Sequence, residues 1–233
     1  MPANKQLYVF SDFDGTITQQ DSNDYLTDNY GMGQAMRVQL NQEIIQGKLS
    51  FRDGFAQMLN SVPLKYEEAL ETLKKNVAID PDFSSFYEWC KKEGVRLVIL
   101  SSGMEPFIRS LLEQYLGKEE ATKIEIVSND INVHEDGTWN IVYHDDTHFG
   151  HDKSLTIRPY AQLPEEKRPH MVYCGDGVSD LSAAKETEHL YAKKGRDLIT
   201  YCKRENVSYT EFETFAEIHK ALIEFKSENV DKA

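Results

Sequence analysis

Apolar positions change their period twice along this chain. Leu7 to Phe10 is a short run of β-type apolar residues stopped by Ser11-Asp12, which predicts a buried strand. From Ser22 to about Val77 the apolar residues recur three and four apart, the spacing of one helix face. Ser22 is placed to cap a first helix running through Asn29. Gly33 to Ile45 predicts a second, with Met36, Leu40 and Ile44 as its buried stripe. Ser50 followed by Asp53 resembles a capping box for a third, which carries Phe51, Phe55, Met58 and Leu59. Ala69, Leu70, Leu73 and Val77 mark one more.

After Asp80-Pro81, read as a helix start, helices and strands alternate. Phe83, Phe86, Tyr87 and Cys90 share one helical face, and Gly94 ends it. Arg96 to Leu100 predicts a buried strand, followed by a turn and a helix from Glu105 to Tyr115. Lys123 to Val133 and Trp139 to Tyr143 flank Glu135-Asp136-Gly137 and predict a hairpin. Asp152 to Tyr160 reads as a helix, His170 to Cys174 as a strand, and a helix follows Val178. Phe212, Phe215, Ile218 and Leu222 give a last amphipathic helix. Strands alternating with helices imply an α/β fold whose mostly parallel sheet is covered on both faces. The all-helical block reads as an insertion: residues 1–20 and 80–233 form the core. Residues 21–79 form a small helical cap over the carboxyl ends of the strands, where open α/β sheets bind ligands.

Composition and charge narrow the function classes. With 40% hydrophobic and 28% charged residues, the chain is neither disordered nor low-complexity. Val95 to Leu100 is its longest strongly apolar stretch, and Arg96 interrupts it; a membrane span needs roughly 20 residues. The first residues lead into a strand with no apolar signal core, so a cytoplasmic protein is expected. Cys90, Cys174 and Cys202 are widely spaced and form no CxxC pair, which fits a reducing compartment. The net charge of −13 disfavours nucleic acid and anionic membranes as partners. It also means that a phosphorylated ligand needs a local cation.

Three polar clusters follow predicted strands: Asp12-Phe13-Asp14-Gly15-Thr16, Ser101-Ser102-Gly103, and Gly175-Asp176-Gly177-Val178-Ser179-Asp180. Lys153 lies between the second and third. Alone, each has an ordinary reading as a turn, a helix cap or a surface charge. Together, in this order at strand ends, they describe a chemistry. Asp12 and Asp176 suit Mg²⁺, a hard cation that takes oxygen ligands, and the metal with Lys153 admits a phosphate dianion. Asp12 can then attack phosphorus and form an aspartyl-phosphate. Asp14 is placed to protonate the leaving oxygen and later to activate water. Ser101 and the amides of Ser102 and Gly103 suit the non-bridging phosphate oxygens.

On these motifs the chain resembles the haloacid dehalogenase superfamily, on its phosphoserine-phosphatase-like side with the cap inserted after the first motif. The resemblance spans essentially the whole chain and implies a Rossmann-like core. It implies that Asp12 is nucleophile and metal ligand, and that Asp14 is the acid/base with its carbonyl on Mg²⁺. Ser101 and Lys153 become the phosphate-binding pair, Asp176 a metal ligand, and Asp180 a carboxylate near the metal. Asp14 is absent from true dehalogenases, so a phosphate substrate follows.

The implied activity is Mg²⁺-dependent hydrolysis of a small phosphorylated metabolite. Phosphoserine phosphatases carry an acidic residue and an arginine in the cap for the amino acid. Here Asp21 stands for the first and Met58 for the second, with Arg52 and Gln57 nearby. A thioether offers a carboxylate no donor, so a polyol or sugar-alcohol phosphate is favoured, as in fungal enzymes of this kind. The alternatives are phosphoserine hydrolysis, phosphoryl transfer as in a mutase, and a non-catalytic phosphometabolite sensor. Retention of both Asp12 and Asp14 speaks against the sensor. His144, His148 and His151, interleaved with Asp145, Asp146 and Asp152, match no zinc spacing and read as a loop at the site entrance.

Overall fold

A computed structural model describes residues 5–229. The chain runs β1 (Leu7–Ser11), α1 (Ser22–Tyr30), α2 (Gln34–Ile45), α3 (Phe51–Asn60), α4 (Tyr66–Asn76), α5 (Phe83–Glu93), β2 (Arg96–Met104), α6 (Glu105–Leu116), α7 (Lys118–Lys123) and β3 (Glu125–Val133). It continues with β4 (Trp139–Val142), α8 (Ser154–Ala161), β5 (His170–Gly175), α9 (Leu181–Ala184), β6 (His189–Lys193), α10 (Asp197–Glu205), β7 (Thr210–Phe212) and α11 (Phe215–Asn229). No helix among the described residues is long and apolar enough to cross a membrane. The described residues form two compact units, one of 5–12, 80–100 and 152–229, the other of 13–79 and 101–151.

The first unit is α/β. Its strands run parallel in the order β2-β1-β5-β6-β7. Val9, Phe10, Val98, Ile99, Val172 and Tyr173 are all buried in the strands, which is why these strands read as continuous apolar runs rather than alternating ones. Against α5, α11 sets Phe215, whose ring lies 5.2 Å from those of both Phe83 and Phe86. Asp80 organises this junction. Its Oδ1 accepts the Asp82 amide at 2.9 Å, its Oδ2 accepts the Phe215 amide at 3.2 Å, and Lys193 lies 3.6 Å away. With Asp80 and Pro81 in the preceding turn, α5 begins at Phe83.

Three elements here differ from the sequence expectation. Phe212 belongs to β7, paired with Lys193, and α11 begins three residues later. β6 and α10 were not foreseen. The run that forms β6 starts on an exposed histidine and ends on a lysine, so its apolar stretch is only three residues long.

The second unit holds α1 to α4, the end of β2, α6, α7 and the antiparallel pair β3–β4, in register Val133↔Trp139. β3 lies between β4 and β2. The helical segment packs on this hairpin. Trp139 donates its indole N–H to the Leu64 carbonyl at 2.9 Å, and Phe107 stacks on Tyr66 with ring centres 5.6 Å apart.

Local chemistry corrects several expectations in this unit. Asp21, not Ser22, caps α1: its Oδ1 accepts the Asn23 and Asp24 amides at 2.8 and 2.9 Å. Ser50 does cap α3, accepting the Asp53 amide at 3.0 Å. On α2 only Leu40 is buried, and Met36 is 48% exposed, because a four-residue repeat over two turns does not ensure a covering partner. Ser101-Ser102-Gly103 is not a turn but the continuation of β2 to Met104. α7, rich in charge and burying only Ala121, had no apolar stripe to announce it.

Candidate active site

Within the first unit, β1 and β5 pair with Ser11 opposite Cys174. That register sets the next residues, Asp12 and those leading to Asp176, at the same end of the sheet. The Asp12 amide continues the ladder by donating to the Cys174 carbonyl at 2.8 Å. After Asp176 the chain makes a tight turn over Val178–Asp180, which returns Asp180 beneath the strand end. Glycine is required at 175, since a Cβ there would lie 2.6 Å from the Asp180 carboxyl carbon. Asp12, Asp176 and Asp180 each offer an oxygen, and the three oxygens lie within 4.8 Å of one another.

Lys153, at the start of α8, is fully buried among them. Its Nζ donates to Asp12 Oδ1 at 2.7 Å and to Asp180 Oδ1 at 2.6 Å. Burial disfavours the ammonium, but the Asp12 and Asp180 carboxylates outweigh it and hold the lysine above its usual pKa. Tyr173 donates to Asp180 Oδ1 at 2.5 Å, and the amides of Asp176 and Gly177 both donate to Asp180 Oδ2 at 2.9 Å. Asp180 is thus engaged by four donors. Three carboxylates against one ammonium leave two negative charges, which a divalent cation balances. An all-oxygen donor set fits Mg²⁺, a hard ion.

Within the second unit, Asp14 is buried. Its Oδ1 accepts the Ser22 amide at 3.0 Å and its Oδ2 accepts Asn23 Nδ2 at 3.1 Å. Burial first, and the Asp21 charge second, raise its pKa from 3.8 to about 7, against those hydrogen bonds, which favour the anion. Ser101 Oγ accepts the Gly103 amide at 2.9 Å. A Cβ at Gly103 would collide with Asp14 Oδ2, so this glycine allows the carboxylate to lie against β2. Ser102 alternates to the other side of the strand; its carbonyl accepts Asn129 Nδ2 at 2.7 Å. His151 Nδ1 lies 2.7 Å from the Ser101 carbonyl oxygen. Phe13 alone separates Asp12, in one unit, from Asp14, in the other.

The four cap residues are placed differently from one another. Asp21 is the α1 cap. Met58 is buried and Gln57 exposed, on successive positions of α3. Arg52 is held by the loop after β4: its guanidinium lies 4.4 Å over the Tyr143 ring and donates to the Asp145 carbonyl at 2.8 Å. Asp146 is 3.7 Å from it. His144 and His151 bring their ring centres to 4.6 Å, and His148 lies against Phe149. Sequence reasoning missed Asn23, Asn129 and Tyr173. Asn23 sits in a polar Asp-Ser-Asn-Asp run at a helix start, where the helical pattern shows no chemistry, and Tyr173 reads as ordinary strand core.

Residues 9–185 match the sequence profile of the haloacid dehalogenase-like hydrolases. The chain belongs to that family. Among haloacid dehalogenase-like relatives, Pdp3-interacting factor 1 of Schizosaccharomyces pombe is 79% identical over 222 residues, covering 95% of this chain and 97% of that one. Polyol phosphate phosphatase PYP1 of Saccharomyces cerevisiae is 45% identical over 216 residues, 90% of each chain. A substrate-bound phosphoserine phosphatase shares the haloacid dehalogenase fold with a TM-score of 0.69 at 18% identity, covering 93% of this chain and 98% of its own.

Proposed function

We propose that the protein is a Mg²⁺-dependent phosphomonoesterase that hydrolyses small polyol or sugar-alcohol phosphates through an aspartyl-phosphate on Asp12. The observation that carries this reading is the buried Lys153, shared between Asp12 and Asp180 beside Asp176. It is supported by the 45% identity to the yeast polyol phosphate phosphatase.

Asp12, Asp176 and the Asp14 carbonyl would hold the ion, with Asp180 behind them. When bound, Mg²⁺ supplies positive charge that offsets the repulsion between a carboxylate nucleophile and a phosphate dianion. Lys153 adds a second cation and orients Asp12. A carboxylate oxygen of Asp12 forms a bond to phosphorus as the ester P–O bond breaks. Asp14, whose pKa near 7 lets it hold a proton at neutrality, passes that proton to the leaving oxygen. The resulting Asp14 carboxylate then takes a proton from water. The hydroxide bonds to phosphorus, the Asp12–phosphorus bond breaks, and phosphate leaves. Ser101 and Lys153, with the Ser102 amide, bind the non-bridging phosphate oxygens; the Gly103 amide, expected from the sequence to join them, instead donates to the Ser101 hydroxyl oxygen and keeps that hydroxyl oriented.

Residues 21–79 act as the cap that selects the leaving group, through Asp21, Arg52, Gln57 and Met58. Arg52 is already committed to Tyr143 and Asp145, and Met58 is apolar. Neither then serves a substrate carboxylate, and an unpaired buried carboxylate is costly. A neutral hydroxylated chain carries no such penalty. The cytoplasm, which supplies both Mg²⁺ and phosphorylated metabolites, suits three buried free cysteines. Competition assays with purified protein decide the substrate class: glycerol, ribitol and sorbitol phosphates are expected to exceed phosphoserine in kcat/KM. The reverse order overturns the polyol assignment.

A further inference from the structure

We propose that Asn23 is a specificity-determining residue whose Oδ1 accepts a hydrogen bond from the hydroxyl on the carbon next to the ester carbon of the substrate. This rests on the phosphomonoesterase reading above and narrows its substrate to vicinal hydroxy-phosphates.

Asn23 is 6% exposed, and its Oδ1 is buried with no hydrogen-bond partner among the described residues. The amide is not free to turn. Its Nδ2 donates to Asp14 Oδ2 at 3.1 Å, and a flip would lose that donor and set the amide oxygen against the Asp14 anion once its proton has been given up. A buried acceptor left without a donor is rare and costly, so a donor from outside the chain gains there what a solvated site cannot offer. The position of that donor follows from covalent chemistry. Asp14 delivers its proton to the oxygen that leaves phosphorus. The amide that grips Asp14 carries its oxygen on the same carbon as the gripping nitrogen, so a group reaching Oδ1 stands one functional group away from the leaving oxygen. Oxygens on adjacent carbons have that separation.

A hydroxyl fits this acceptor better than an ammonium does. A neutral amide satisfies a neutral donor fully, whereas a buried cation needs a counter-charge or several acceptors.

The test compares kcat/KM for 1,2-propanediol 1-phosphate, 1,3-propanediol phosphate and n-propyl phosphate, each at saturating Mg²⁺. The wild type is expected to favour the vicinal compound over n-propyl phosphate by about tenfold or more, with the 1,3-isomer close to n-propyl phosphate. In Asn23→Ala that ratio should fall to near one. Losing the hydrogen bond to Asp14 lowers turnover of all three compounds together, and therefore leaves the ratio untouched. Asn23→Leu, which fills the same volume, repeats the measurement if the alanine variant does not fold. A wild type without the vicinal preference, or one whose preference survives in the variants, overturns the inference while the phosphomonoesterase reading stands. A wild type inactive on every phosphomonoester overturns that reading and the inference with it.

Discussion

Tyr173 donates its phenolic hydrogen to Asp180 Oδ1 at 2.5 Å, the same oxygen that receives Lys153. Burial, and then the Asp180 and Asp12 charges, keep the phenol protonated by raising its pKa well above the usual value, so it is a permanent donor. Tyr173 therefore shares with Lys153 and two backbone amides the task of orienting a carboxylate that is fully buried. Tyr173→Phe removes that donor without opening a cavity. Stability is expected to fall by about 1–2 kcal/mol, with Lys153 less firmly aligned on Asp12 and a several-fold lower kcat. Thermal unfolding and steady-state kinetics check this, and a variant unchanged in both would show that the tyrosine is only packing.

Asp12→Asn should abolish turnover and leave the fold intact, because an amide is not a competent nucleophile at phosphorus. Asp14→Asn should lower kcat by about 10²–10⁴-fold, the range set by general acid–base groups. Both are measured on proteins whose circular dichroism matches the wild type. Full activity in Asp12→Asn defeats the aspartyl-phosphate route.

Chelation should silence the enzyme and added Mg²⁺ should restore it. The three clustered carboxylates repel one another, so the ion is also expected to raise the melting temperature, increasingly as its concentration exceeds Kd. Asp176→Asn should weaken both effects together. A melting temperature indifferent to Mg²⁺ at millimolar concentration would contradict the metal assignment.

Gly103→Ala places a methyl group against Asp14 Oδ2. The carboxylate has to move, because Gly103 lies within the continuous strand β2 and its amide is held by Ser101 Oγ. The expected result is a large loss of kcat with little change in melting temperature, a separation that kinetics and calorimetry resolve directly. Wild-type kcat in this variant would mean that Asp14 does not act from the position described.

The strand-end motifs were legible because strands buried on both faces appear as continuous apolar runs, so the polar residues closing them stand out at Asp12 and Asp176. Helical pattern was a poorer guide. Asp21 and Ser22 are both good caps, and sequence alone does not say which one acts. When the aspartate takes that place, the Ser22 amide is released to Asp14, so the choice of cap shapes the chemistry. Met36 shows the opposite failure, a regular repeat with nothing above it. Asn23 was invisible because its significance lies in one contact with Asp14, made across a loop.

The carboxylate of Asp80 accepts the amide of a residue 135 positions further along the chain, and this has a consequence for how the protein is made. The start of α5 and the start of α11 are finished by one side chain, so α5 is completed only after residue 215 has been synthesised. β1 likewise finds its neighbours only after residues 96 and 170 have emerged. Contacts of such sequence separation slow folding, and a nascent chain halted near residue 205 would carry α5 with its closing partner still untranslated. The Asp80 junction of this unit therefore closes only once residue 215 has left the ribosome.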